Sequence, residues 1–201
     1  MCTRKEAGKR MTFKELGLSS EIVKAVNEKG YENPTDIQEQ AIPRILEGHD
    51  VLAQSQTGTG KTAAFGLPLI SLIDRVDRKY TQGLVLCPTR ELCIQVADEM
   101  RSFAKYKDDL RIISVYGGES IERQIRDIKR GADIVVATPG RLMDHIRRKT
   151  LRFNHCNHIV LDEADEMLNM GFVDDIREIF TYLPEQRQMV FFSATMPKEI
   201  V

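Results

Sequence analysis

Val51-Leu52-Ala53-Gln54-Ser55-Gln56-Thr57-Gly58-Thr59-Gly60-Lys61-Thr62 is an apolar run that breaks into a glycine-rich turn and then offers a lysine and a threonine. A Gly-rich loop between a strand and a helix points backbone N–H groups and the positive helix end at an anion. Lys61 then lies within reach of the outer phosphates of a nucleotide, and Thr62 of a Mg²⁺ ion. A second apolar run, Ile159-Val160-Leu161, stops at Asp162-Glu163-Ala164-Asp165. A carboxylate at the end of a second strand completes such an ion site. Two strands that each end in half of a phosphate-and-metal site point to a nucleotide-binding α/β fold.

The rest of the chain repeats that pattern. Short apolar runs at Asp50–Ala53, Gly83–Cys87, Ile112–Tyr116, Asp133–Ala137, His158–Leu161 and Met189–Phe192 read as buried strands. Helical periodicity separates them over Arg90–Tyr106, Ile121–Arg130 and Val173–Leu183, and two further helices, about Ser20–Lys29 and Thr35 to near Gly48, precede the first strand. Alternating apolar strands and helices predict a mostly parallel sheet with helices on both faces. Each strand is followed by a polar or Gly-rich motif: Gln56-Thr57-Gly58, Pro88-Thr89-Arg90, Gly117-Gly118, Thr138-Pro139-Gly140-Arg141, Asp162-Glu163 and Ser193-Ala194-Thr195. Ligands bind outside the carboxyl ends of strands in open parallel sheets, so all six motifs belong to one edge.

Composition narrows the function classes. With 201 residues, one domain with a real core is expected, and 29 basic against 30 acidic residues give a net charge of −1. Bulk charge therefore does not hold this chain to nucleic acid, and any such contact is local. Cys2, Cys87, Cys93 and Cys156 show no C-x-x-C spacing, which fits reduced thiols in a cytoplasmic protein. His155-Cys156-Asn157-His158 lacks the second pair that a zinc site wants. No apolar stretch is long enough to span a bilayer, and residues 1–10 read as a disordered tail.

On these motifs the chain resembles the DEAD-box family of ATP-dependent RNA helicases, specifically the N-terminal RecA-like lobe, from Phe13 onward. Pro88 to Leu92 matches the family's PTREL, Gly117-Gly118 its glycine doublet, Thr138 to Arg141 its TPGR and Ser193 to Thr195 its SAT. Gly30-Tyr31-Glu32-Asn33-Pro34-Thr35-Asp36-Ile37-Gln38, with Phe13 upstream, matches the adenine-reading Q motif, placed at about residues 11–39. Ser55 departs from the family's usual Ala and from the first Gly of G-x-x-x-x-G-K-[ST]. The resemblance implies a RecA-like domain over residues 11–201 that binds ATP and Mg²⁺. It also implies RNA, gripped mainly by its sugar–phosphate backbone, and a second RecA-like lobe, expected to be absent from a sequence that stops at Val201.

Roles follow from chemistry and resemblance together. Lys61 neutralises the outer phosphates, the amides of Thr57, Gly58, Thr59, Gly60 and Lys61 cradle them beside Ser55 and Gln56, and Thr62 and Asp162 serve Mg²⁺. Glu163 orients or deprotonates the attacking water. Gln38 has two readings: its amide can read adenine bidentately, or Thr35-Asp36-Ile37-Gln38 is a capping box in which Gln38 bonds back to the Thr35 amide. The resemblance favours adenine, with Tyr31 stacking on the base and Phe13 nearby. It likewise places Pro88, Thr89, Arg90, Gly117, Gly118, Thr138, Pro139, Gly140 and Arg141 along RNA, and makes Asp165, Ser193 and Thr195 a link between nucleotide state and domain closure. Arg147-Arg148-Lys149 reads as a solvated helix end. Two rivals are a superfamily 2 motor acting on DNA, opposed by the Q motif, and a single-lobed binding module without turnover.

Overall fold

Six strands all run in the same direction. The computed structural model describes residues 11–56, 58–73 and 80–195; the expected tail at 1–10, Thr57 and the residues after Thr195 lie outside them. The elements are α1 (Ser20–Glu28), α2 (Asp36–Leu46), β1 (Val51–Gln54), α3 (Lys61–Leu72), β2 (Gly83–Leu86), α4 (Arg90–Phe103), β3 (Ile112–Val115), α5 (Ile121–Lys129), β4 (Ile134–Ala137), α6 (Pro139–Arg147), β5 (His158–Asp162), α7 (Ala164–Asn169), α8 (Val173–Phe180) and β6 (Gln188–Ser193). The strand order is β1-β6-β5-β2-β4-β3, every pair parallel. The sheet expected to be mostly parallel is wholly so.

Side-chain alternation divides the core in two. Val85, Val136, Val160, Val190 and Phe192 face one cluster with Phe65, Ile42 and Met100 from α3, α2 and α4. Leu84, Leu86, Val135, Ile159 and Leu161 face a second with Leu142, Met167 and Ile179 from α6, α7 and α8. The central strands β2 and β4 are buried along their whole length, which is why their sequences are continuously apolar. With both faces covered, polar function is left to the strand ends.

The strands read from sequence agree with the observed ones to within a residue at each end. Helix ends differ more. α4 stops at Phe103 instead of Tyr106, where Lys105 N–H bonds to the Ser102 carbonyl at 3.4 Å. α8 stops at Phe180 instead of Leu183, since Thr181, Tyr182 and Leu183 all donate three residues back. Both are the tightened last turns that side-chain periodicity does not register. The motif Thr138–Arg141 forms the first turn of α6, a helix absent from the sequence reading, with Thr138 as its N-cap.

Phe65 and Phe192, both fully buried with ring centroids 5.5 Å apart, fasten α3 to β6 beneath the phosphate loop. Phe192→Ala should lower stability by about 3–5 kcal/mol. Urea unfolding checks this: the midpoint falls with little change in slope.

Candidate active site

β1, β6 and β5 are neighbours, so their carboxyl ends bring Ser55, Ser193 and Asp162 to one place. The Ser55 N–H donates to the Ser193 carbonyl at 2.9 Å and starts the phosphate loop from the sheet. Gly60, at φ +88°, caps α3, and Lys61 and Thr62 are that helix's first two residues. The loop is braced from inside: the Thr59 hydroxyl donates to the Gln56 carbonyl at 2.9 Å and touches the Ser55 hydroxyl. The departure from Ala at 55 thus adds a polar contact, to the Thr59 hydroxyl.

A second brace comes from α2. The Thr35 hydroxyl donates to the Thr59 carbonyl at 3.0 Å, and Gln38 Nε2 donates to the Gly60 carbonyl at 3.0 Å. Gln38 Oε1 accepts from the Thr35 N–H at 2.9 Å, so the capping box is formed. Gln38 is fully buried. Of its two readings, the structure realises the capping box and adds a function neither contained, that of holding the loop. A Cβ on Gly60 would lie 2.4 Å from Gln38 Nε2, so this glycine is required by its neighbour as well as by its φ.

Lys61 Nζ is buried and stands 3.7 Å from both Asp162 Oδ1 and Glu163 Oε1. Among the described residues neither Lys61 Nζ nor Asp162 Oδ1 has a hydrogen-bond partner, although both are buried. Burial pushes the Asp162 carboxyl up to about 6, against the pull of Lys61 and with the push of Glu163. Glu163 has left-handed backbone, φ +53°, and opens α7. A buried ammonium and a buried carboxylate oxygen without partners are groups awaiting an anion and a cation. Mg²⁺ bound with a nucleotide takes one or two carboxylates plus phosphates, and Asp162 with the Thr62 hydroxyl is such a donor set. The residues fit the group.

Asp165 is bound to the end of β6. Its N–H donates to Ser193 Oγ at 3.2 Å, and its Oδ2 accepts from the Thr195 N–H at 2.9 Å and hydroxyl at 2.8 Å. Burial alone would raise this carboxyl; bonds from Ser193 and Thr195 outweigh it and hold it below its ordinary range.

The positions expected along RNA divide. Arg90, Gly117, Gly118 and Gly140 are exposed on the strand-end edge, Thr138 is half-buried, and Pro88 and Pro139 are buried. Thr89 caps α4, accepting from the Leu92 N–H at 3.2 Å. The Arg90 guanidinium lies 5.1 Å from the Tyr116 ring centroid, and its Nη1 sits 2.9 Å from where a Gly118 Cβ would be. Arg141 is tied down: Nη1 donates to the Glu119 carbonyl at 2.9 Å and to Gln124 Oε1 at 3.1 Å. Arg147 is paired with Glu178 at 3.0 Å, a bond between α6 and α8. His155 stacks on Tyr80 and His158 bonds to Gln188, so that cluster does not converge.

The two aromatics expected near adenine pack together, Phe13 in the core and Tyr31 half-buried against it. Phe13 is buried, and Tyr31 meets Phe13 and Phe103 edge-to-face at 6.5 and 6.1 Å. Burial, then Glu99, pushes the Tyr31 hydroxyl up to about 12, and it donates to Glu99 at 3.0 Å. Beside the phosphate loop runs a groove of about 720 Å³ lined by Asn33, Pro34, Thr35, Asp36, Gln56 and Thr59 among others, with neither Phe13 nor Tyr31 in its wall.

The sequence pattern of DEAD/DEAH box helicases matches residues 35–201. The chain belongs to this family. The ATP-dependent RNA helicase DeaD of Haemophilus influenzae is 53% identical over 191 residues, 95% of this chain and 31% of that protein. The DEAD-box ATP-dependent RNA helicase CshA of Bacillus cereus is 53% identical over 189 residues, covering 94% of this chain and 36% of that one. A crystal structure of a DEAD box protein from the hyperthermophile Methanococcus jannaschii superposes with a TM-score of 0.89 at 48% identity, over 94% of this chain and 52% of that one. This DEAD-box domain therefore spans about a third of the curated relatives it matches.

Two polar residues of the domain escaped the sequence reading. Gln124 on α5 and His145 on α6 are both buried, and their side chains meet, Nε2 of His145 lying 3.0 Å from Gln124 Oε1. The signal was faint: one glutamine inside the amphipathic stretch of α5 and one histidine among the apolar residues of α6. Burial, then Arg141, pushes the His145 imidazole down to about 4.

Two expectations follow. Gly60→Ala should destabilise the domain by roughly 1–3 kcal/mol through backbone strain and the Gln38 contact. Part of that loss should return in the Gln38→Ala background, as a double-mutant cycle read by urea unfolding will show; simple additivity would mean that the two residues do not touch. For His145 the folded value, about 4, lies below the ordinary 6.5. Its contribution to stability is therefore complete above pH 6.5 and lost as pH falls towards 4, by up to roughly 3 kcal/mol. The stability difference between wild type and His145→Gln, measured from pH 7.5 to 4, isolates this group from Asp162.

Proposed function

We propose that this domain binds ATP with Mg²⁺ and a stretch of RNA backbone. In the complete protein it would couple ATP hydrolysis to local, sequence-independent separation of RNA duplexes. The observation that carries the reading is the buried pair Lys61 Nζ and Asp162 Oδ1, unpartnered side by side at the mouth of a braced phosphate loop. Lys61 meets the β- and γ-phosphates, and the α3 N-terminus and loop amides take the remaining charge. Thr62 and Asp162 hold Mg²⁺, which when bound neutralises charge on the phosphate oxygens. Glu163 orients or deprotonates the attacking water. Asp165, Ser193 and Thr195 relay nucleotide state to the neighbouring lobe that the longer relatives have room for.

RNA lies along Pro88–Arg90, Gly117-Gly118 and Thr138–Arg141. Contacts there go to phosphates and carry no base information, as a helicase acting on any sequence needs. Among the described residues no helix is long and apolar enough to cross a membrane. Cys87, Cys93 and Cys156 are buried free thiols, which supports a cytoplasmic setting.

Three measurements test this. Lys61→Ala should abolish ADP and ATP binding by calorimetry while the fold persists; unchanged affinity sinks the phosphate role. ADP should bind at least several-fold more tightly than GDP, an unpaired buried polar group costing roughly 1–3 kcal/mol. If Gln38→Ala leaves that ratio unchanged, Gln38 has only its loop-holding role. In the complete protein, Glu163→Gln should lower the RNA-stimulated kcat on the order of 10²–10⁴-fold. Phosphate release at the wild-type rate in that variant would remove Glu163 from the chemistry.

A further inference from the structure

Arg141 and the glycine doublet lie at the ends of different strands, β4 and β3, and reach the same edge from different parts of the chain. One buried polar knot joins them. Gln124 Nε2 donates to the Tyr116 carbonyl at 2.9 Å and to Glu119 Oε2 at 3.2 Å, the residues on either side of Gly117-Gly118. Its Oε1 accepts from Arg141 Nη1 at 3.1 Å and lies 3.0 Å from His145 Nε2. The flanking groups fix the amide's orientation, since the carbonyl and carboxylate on one side can only accept and the guanidinium on the other can only donate. His145 Nε2 must then carry the proton and donate to Gln124. The Thr150 hydroxyl lies 2.8 Å from Nδ1 and 3.0 Å from the His145 carbonyl; turned to Nδ1 it donates there, and the carbonyl keeps the Thr150 N–H at 3.0 Å. The amide and both imidazole nitrogens are satisfied in the neutral histidine form. Arg141 is left with Nη2 unpartnered among the described residues.

We propose that Gln124 and His145 are positioning residues for RNA binding. They fix the glycine-doublet loop and Arg141 in one register, so that loop amides and the free guanidinium nitrogen meet successive phosphates together. Neither residue touches RNA. The inference rests on the reading above that this edge binds RNA. Alone, a buried glutamine and a satisfied histidine would serve packing; what distinguishes the knot is that three of its hydrogen bonds end on or beside the two RNA motifs and none on the nucleotide loop.

The test uses this chain, a single-stranded oligouridylate followed by fluorescence anisotropy, and ADP followed by calorimetry. Gln124→Met keeps length and apolar shape but removes the four Gln124 contacts, leaving Arg141 tied to the loop only by its bond to the Glu119 carbonyl. It should weaken RNA binding roughly three- to tenfold for each phosphate that is no longer met, with ADP affinity unchanged. If Arg141 no longer meets its phosphate, the log–log salt slope becomes shallower by about 0.7. His145→Leu should weaken RNA binding in the same direction, and His145→Gln, whose amide can donate to Gln124, should restore most of it. That pair keeps the inference testable if Gln124→Met fails to fold. RNA and ADP affinities falling together with thermal stability would reduce the knot to packing and overturn the inference. So would a Gln124→Met chain that binds RNA normally while Arg141→Ala does not. If Arg90→Ala and Arg141→Ala both leave RNA binding intact, the RNA reading of this edge falls, and the inference with it.

Discussion

A lysine and an aspartate, buried beside each other at 3.7 Å with unpartnered polar atoms, would be strongly unfavourable in an ordinary core. Removing charges from water costs several kcal/mol per ion, and attraction offsets that only where geometry and extra hydrogen bonds are good. Here Lys61 Nζ and Asp162 Oδ1 lack them among the described residues. The surrounding structure has to hold the two groups in place while leaving their remaining valences open, and much of the fold can be understood as that support. The parallel sheet buries both faces and frees the strand ends. Phe65 and Phe192 anchor the helix that carries Lys61 to the strand beside Asp162. Thr35 and Gln38 hold the loop that leads into that helix.

The same division of labour recurs at the other end of the edge. Exposed groups that can meet a ligand, Arg90, Gly117, Gly118 and Gly140, sit beside groups that cannot, such as Gln124 and His145. Polar networks of this kind stabilise only when complete, because an unpaired buried polar group is costly in a low-dielectric interior. In the neutral histidine form the Gln124 amide and the His145 imidazole are fully partnered.

How much of this the sequence disclosed depends on the physics involved. Strand positions were legible to a residue because each strand is a short apolar run, but not all are buried as the reading expected: β2 and β4 are, whereas at the sheet edge Leu52 of β1 is 47% exposed. That Lys61 of the glycine-rich loop would meet Asp162-Glu163 was legible because glycine, lysine and paired acids after an apolar run have few other uses. Helix ends at Phe103 and Phe180 were not, since a tightened last turn leaves the side-chain period unchanged. Gln38 was legible only as an ambiguity: the capping box is local, whereas its bond to Gly60 spans 22 residues and exists only once α2 lies against the loop. The ring packing of Tyr31 was not legible either, for its aromatic partner Phe103 comes from α4. Gln124 and His145 left almost no trace, because a single polar residue in an apolar pattern does not say what it meets.

Glu163 follows Asp162 directly, and in a continuing strand the two carboxylates would point to opposite faces of the sheet. Both nevertheless stand 3.7 Å from the same ammonium nitrogen. The left-handed backbone at Glu163 reconciles these facts by turning the second acid to the side of the first. That conformation costs an L-residue roughly 1–2 kcal/mol, and glycine or asparagine adopts it more readily. Position 163 therefore sets two demands against each other: the backbone is most at ease with a residue that lacks the carboxylate, and the proposed chemistry needs the residue that strains it. Relaxing the chain at this one point would make a sturdier protein with half an acid pair.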